Sequence, residues 1–211
     1  MKDITVYVEG ETDRRLIEYF IKYVCDSNAI PIDREISEMI EMTGGWTTLN
    51  SDKSDAIRNK MKQTARRGGI NLVIFDADDD PVTRRSELQT FAQKHGLSYE
   101  IFLFPNDHDS GAVEELLTQL INPDNQCVLD CWNHYEAELK KQIIPWKNPK
   151  SPTTPSSKSK IYGYLEALVG TSRSEKDKIK DKKRDFSIRE HWHIDRPEGK
   201  PLCDFLLKYL K

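Results

Sequence analysis

The chain has 211 residues, enough for one good-sized domain or a domain with an appendage. Lys and Arg number 32 against 35 Asp and Glu, a formal charge of -3, which excludes a globally basic nucleic-acid binder and leaves only local basic patches. No apolar run is long enough to span a membrane, and the amino end, from Met1 to Thr5, has no apolar signal region, so the expected location is the cytoplasm.

Ile4, Val6 and Val8 alternate with Thr5 and Tyr7, which predicts a first strand ending at Glu9-Gly10. Leu16, Ile17, Phe20, Ile21 and Val24 then recur at helical spacing. Glu9 falls at the strand's carboxyl end, and Asp13 falls in the first helical turn, where the helix dipole also favours an acid. Residues 36–42 read as a weaker second strand running into Gly44-Gly45, a pair that allows positive φ or a close backbone approach to a ligand. A polar helix is expected over about 47–66, closed by Arg66-Arg67-Gly68-Gly69.

The stretch Leu72-Val73-Ile74-Phe75 reads as a buried central strand that delivers Asp76 and Asp78 to its carboxyl end. Both can enter one crevice if Ala77 turns away, and in open α/β sheets that crevice is where ligands bind. Clustered carboxylates repel unless a cation sits among them, and hard oxygen ligands favour Mg2+, Mn2+ or Ca2+. The plainer alternative is that Asp78, Asp79 and Asp80 are a polar loop capping the next helix. That helix starts at Asp80-Pro81, stops at Gly96, and carries Arg84 and Arg85 near the crevice.

Residues 99–104 form the fourth predicted strand, followed by Asp107, His108, Asp109 and Ser110. Val113, Leu116, Leu117, Leu120 and Ile121 then make a helical stripe with Glu114 in its first turn. A further helix is expected over 125–143, with Val128, Cys131, Trp132, Tyr135 and Leu139 on its apolar side. Residues 145–160 are rich in Pro, Ser, Thr and Lys and read as a flexible loop. A short helix over 161–169 follows, then the mostly basic run 176–184 as a solvated helix face or disordered loop, and a last helix from Pro201. Three of the four cysteines sit in amphipathic patterns that suit reduced core thiols. A zinc site from Cys127, Cys131, His134 and the later histidines is less favoured, because core packing explains the helical spacing.

Strand and helix alternate four times, which predicts a mostly parallel four-stranded sheet flanked by helices. Residues 1–123 would form this α/β domain and 124–211 a helical C-terminal extension packed on it. Glu9, Asp76, Asp78, Asp107, Asp109 and Glu114 would gather at one edge, from three separate strand ends.

Val8-Glu9-Gly10 after the first strand and Asp76-Ala77-Asp78 after an apolar strand resemble the Toprim domain of topoisomerases, primases, RecR proteins and OLD-type nucleases. The run from Tyr7 through Glu9 to Asp13 is especially similar to the nuclease branch. The later Pro105-Asn106-Asp107 and Ser110 to Glu115 resemble small stand-alone Toprim-like proteins of unassigned function. The resemblance covers about residues 3–121. It implies a Toprim/Rossmann-like α/β fold and Mg2+ or Mn2+ held by Asp76, Asp78 and Glu9, with Glu9 alternatively the general acid or base. Asp13 and Glu114, and more weakly Ser110, would complete a second metal position. It further implies a nuclease acting on DNA or RNA, with DNA ahead of RNA, in DNA maintenance or phage defence. A separately encoded ATPase and a homodimer are the protein partners it suggests. Arg84, Arg85 and His108 are the candidate phosphate contacts beside the crevice. The competing class is a non-catalytic Toprim module that binds metal or nucleic acid, or docks on an ATPase. Haloacid-type phosphatases carry their Asp-x-Asp on the first strand rather than the third, and response-regulator receivers need a strand-end Lys that is not evident here.

Overall fold

The computed structural model of the protein describes residues 3–211; Met1 and Lys2, part of the amino end read above for a signal, lie outside them. Four strands, β1 (Ile4–Val8), β2 (Ile40–Met42), β3 (Ile70–Asp76) and β4 (Glu100–Phe104), form one parallel sheet in the order β2-β1-β3-β4. The expected α/β class with a four-stranded parallel sheet and flanking helices is thus the one observed. All strands point the same way, so their carboxyl ends share one edge.

Leu72, Val73, Ile74 and Phe75 have no exposed surface. An unbroken apolar run suits a strand covered on both faces, and each such side chain removed from water contributes roughly 1.5–3 kcal/mol. On one face lie α1 (Glu11–Ser27), α5 (Val113–Gln119) and α9 (Lys200–Leu210). On the other lie α3 (Asp55–Arg66) and α4 (Pro81–His95). The C-terminal residues Leu129, Ile161, Leu165, Phe186, Trp192, Leu202 and Leu206 join the first of these cores, so the extension is packed on the sheet domain. Among the described residues no helix is long and apolar enough to cross a membrane.

Several elements differ from their sequence reading. The strand expected over 36–42 is a tight helical turn at Ile36–Met39 followed by three strand residues. Ile36, Met39 and Ile40 have i, i+3, i+4 spacing, a helical rather than an alternating pattern. The helix expected over 47–66 breaks into α2 (Trp46–Leu49), a short turn and α3. Ser51 and Ser54 bind local backbone there, and the buried Arg58 guanidinium bonds Ser51 O at 2.8 Å and Ser54 Oγ at 2.7 Å.

α6 (Gln126–Lys140) exposes Cys127, Cys131, His134 and Tyr135 and buries Leu129, so its cysteines are not core thiols. The run 176–184 is neither disordered nor wholly solvated. It continues from α8 (Arg173–Lys178) and buries Ile179 and Arg184. The loop over 145–160 ends early, because α7 (Ser157–Leu168) begins inside it with Ser156 as its cap. That last shift bears on the site.

Candidate active site

Glu9 leaves the end of β1 and Asp76 ends β3, the neighbouring strand. The Asp76 amide donates to Glu9 Oε1 at 3.2 Å. Asp76 Oδ1 in turn accepts the Val113 amide at 2.9 Å, at the start of α5. Asp13 is 6% exposed and accepts the Gly10 amide at 2.7 Å. Glu114 follows Val113 into the same space. Glu9, Asp13, Asp76 and Glu114 together line a cleft of about 320 Å3 with Gly44, Gly45, Lys158 and Asp181.

Gly45 has φ +87°, and a Cβ there would stand 2.9 Å from Glu9 Oε2. The backbone approaches the carboxylate closely because glycine permits it. Both glycines have the positive φ that the pair allows, and the close approach is to the Glu9 side chain rather than to a ligand.

The four carboxylates are short of positive charge. Burial pushes Asp76 up to about 9, with the Asp13, Glu9 and Glu114 charges adding to it and the Val113 amide opposing. Burial likewise raises Asp13 to about 7, helped by Glu9 and Glu114 and opposed by the Gly10 amide and Lys158. Glu9 and Glu114 are raised as well, chiefly by burial. Such interacting acids, Asp13 buried and the other three half-buried in one cleft, mark a candidate functional site.

Lys158 is the cation that the sequence reading missed. It sits in the first turn of α7, and its Nζ lies 3.1 Å from Asp181. Asp181 also accepts the Tyr162 hydroxyl at 2.8 Å and the Arg184 guanidinium at 3.0 Å. Burial works against its ionisation, yet these partners hold it below the usual carboxylate range. Arg184 is 4% exposed and its other terminal nitrogen donates to Thr12 Oγ1 at 3.5 Å. The extension thus supplies one wall of the cleft. The signal was present as Ser156 before a helical stripe at Ile161, Tyr164 and Leu165, but the prolines before it dominate the composition.

Asp78 stands apart from Asp76. Ala77 turns inward, while the Asp78 backbone pairs with Gly111 by two hydrogen bonds of 2.9 and 2.7 Å. Its side chain is 56% exposed and bonded to Arg84. It lines a second, larger cleft of about 770 Å3 with Asp79, Asp80, Thr83, Arg84, Ser157 and Lys158. Glu114 and Lys158 border both clefts. Asp78 still acts on the first cleft through its charge, which adds to the rise at Glu9.

The remaining acids do not gather with them. Asp107 accepts the Leu103 amide at 2.9 Å and binds Arg85, and Asp109 accepts the Asn106 side chain at 2.7 Å. Ser110 and His108 are exposed in that turn and border neither cleft. Arg84 binds Asp78 and Glu87, and Arg85 binds Asp107, so both guanidinium groups have intramolecular partners. Arg66 and Arg67 lie before β3, at the opposite edge of the sheet.

The donor chemistry of the first cleft fits a hard divalent cation: Glu9, Asp13, Asp76 and Glu114 offer oxygen alone, and a cation among them would offset their repulsion. Among the described residues no group of three or more His, Cys, Asp and Glu side chains is arranged so that it could hold a metal ion. The fit therefore rests on donor type and charge, with the four carboxylates set around an open cleft.

Fold and site define an α/β protein with an acidic cleft at the carboxyl edge of a parallel sheet. The chain belongs to the family described as protein of unknown function (DUF3226), which it matches over residues 3–210. No curated protein and no solved structure matches it.

Proposed function

We propose that this protein hydrolyses phosphodiester bonds of nucleic acid, DNA before RNA, in a Mg2+- or Mn2+-dependent reaction. The observation that carries this reading is the set of four coupled carboxylates from three strand ends, with Lys158 facing them. The Toprim-like motifs at Glu9-Gly10 and Asp76-Ala77-Asp78 point the same way. Asp76, Asp13 and Glu114 would hold the cation. When bound, it would supply charge stabilisation for the phosphate and the leaving oxygen.

The protein's own groups divide the remaining work. Glu9 has one oxygen held by the Asp76 amide and the other directed toward Gly45. Its raised pKa suits a carboxylate that shares the cation or takes a proton from the attacking water. The water oxygen bonds to phosphorus as the bond to the leaving sugar oxygen breaks. Lys158, held by Asp181, is placed to bind a phosphate oxygen where the two clefts meet. Asp78 and Arg84 line the wider cleft through which a polymer would pass.

The competing reading is a module that binds metal or nucleic acid, or docks on a partner ATPase, without cutting. The engagement of Asp13, Asp76 and Glu9 with backbone amides favours it, since each bond also serves the fold. A panel of plasmid, linear duplex, single-stranded DNA and RNA, incubated with Mg2+ or Mn2+, separates the two. Cutting that is lost in Asp76→Ala and Glu9→Ala supports the nuclease and names its substrate. Salt-dependent binding with no cutting of any substrate supports the module.

A further inference from the structure

Residues 140–160, from the last residue of α6 into the first turn of α7, hold six lysines and no acidic residue in a chain whose net charge is -3. Within them Trp146 is 84% exposed and Ile143 is 73% exposed. An indole left so open is not part of the core. The turn that carries it is nevertheless closed by its own backbone. The Ile144 amide donates to Lys150 O at 2.8 Å, and the Lys147 amide donates to Ile144 O at 3.2 Å. Lys147 Nζ adds a bond to Ser151 O at 2.8 Å. Trp146 is thus presented on an ordered turn, with Lys147 and Lys150 beside it.

The same segment runs into Ser156, Ser157 and Lys158, which line the wider cleft. A polyanion approaching the acidic cleft meets repulsion there, and a basic segment leading to it offsets that. An aromatic face flanked by lysines matches the way single strands are held, by stacking on bases and charge contact to phosphates. A duplex keeps its base faces stacked internally and offers no such surface.

We infer that residues 140–160 form a binding arm for single-stranded nucleic acid, in which Trp146 stacks on an unpaired base and Lys147 and Lys150 contact flanking phosphates. The binding stands on the arm alone. Delivery of the strand to a cutting site rests on the nuclease reading.

Anisotropy of a labelled single-stranded oligodeoxynucleotide, titrated in EDTA across a salt series, tests the arm without cleavage. Trp146→Ala weakens binding about tenfold, and Trp146→Phe keeps most of it. The Lys147→Gln, Lys150→Gln double variant reduces the salt slope by about 0.7 per lysine removed. A duplex of the same sequence binds more weakly. An unchanged thermal midpoint in Trp146→Ala shows that the fold is intact. Wild-type affinity in Trp146→Ala overturns the arm, as does binding to anionic phospholipid vesicles without binding to the oligonucleotide. Hydrolysis of bis(p-nitrophenyl) phosphate, run in parallel with Mn2+, reports on the cleft separately. Its absence leaves the arm standing where Trp146-dependent binding is seen, and its presence does not rescue an arm that fails to bind.

Discussion

The backbone amide of Asp76 donates to the side chain of Glu9 at 3.2 Å, joining the ends of β3 and β1 through an acid of each. One acid therefore orients the other, and the parallel register of Val8 with Ile74 fixes the pair. Asp76 is anchored a second time by the Val113 amide. These bonds hold like charges together in a partly buried cleft, and the consequences are measurable.

Stability of the metal-free protein should fall as pH rises. Asp76 and Asp13 are raised above the ordinary 3.8, to about 9 and about 7. A raised acid contributes stability that is complete below its unfolded pKa and lost as pH climbs through the folded one. Between pH 7 and 9 the half-buried His191, whose pKa burial lowers, is neutral and does not interfere. The thermal midpoint in EDTA should drop across this window by about 2–4 °C or more, equivalent to about 1 kcal/mol. Asp76→Asn should flatten the drop. A wild-type midpoint that does not change from pH 7 to 9 contradicts the description of these carboxylates.

Divalent cation should reverse that loss. At pH 8, saturating Mg2+ or Mn2+ should raise the thermal midpoint, since a ligand at about 100 times its Kd adds about 2.7 kcal/mol. The rise should shrink at pH 5, where protons compete for the same oxygens, and should be lost in Asp76→Asn. Calorimetric scans with and without metal at both pH values read this. An equal shift in the variant would place the cation elsewhere.

Gly45→Ala should harm both fold and site. The positive φ and the 2.9 Å approach to Glu9 Oε2 each oppose a Cβ. A cost of about 1–2 kcal/mol is expected. Part of it should vanish in a Glu9→Ala background, where the crowded oxygen is gone. A double-mutant cycle from urea melts measures that coupling. Additive costs would show that the clash is not with Glu9.

Lys158→Gln should lower kcat by about 10-fold or more while changing stability by no more than about 0.5 kcal/mol, because the side chain is 55% exposed. Asp181→Asn, which frees Lys158 without removing it, should affect KM more than kcat. Steady-state kinetics on one substrate distinguish them. A kcat unchanged in Lys158→Gln removes the lysine from the mechanism.

The sheet and the paired strand ends were legible in the sequence because unbroken apolar runs such as Leu72 to Phe75 have few alternatives to a buried parallel strand. Glu9, Asp13, Asp76 and Glu114 were found from their positions just past such strands or in the first turn of the following helix. Asp78 was placed in the same crevice because a two-residue spacing allows it, but the backbone pairing with Gly111 turns it into the neighbouring cleft. Asp107 satisfies the Leu103 amide and Arg85, a turn contact that no spacing reveals. Lys158 was hidden by the prolines before it, and its approach to Glu114 depends on long-range packing of the extension. The exposed face of α6 was read as core because its apolar residues recur helically, whereas only Leu129 is buried.

The most direct measurement is the initial rate of phosphodiester hydrolysis with Mg2+ or Mn2+ at pH 8, for wild type beside the isosteric Asp76→Asn and Glu9→Gln. Metal-dependent cutting should fall by about 10^2-fold or more in each variant, with folding retained. Cutting at the wild-type rate in both variants, or the absence of metal-dependent cutting in the wild type on every nucleic-acid substrate, would contradict the nuclease reading.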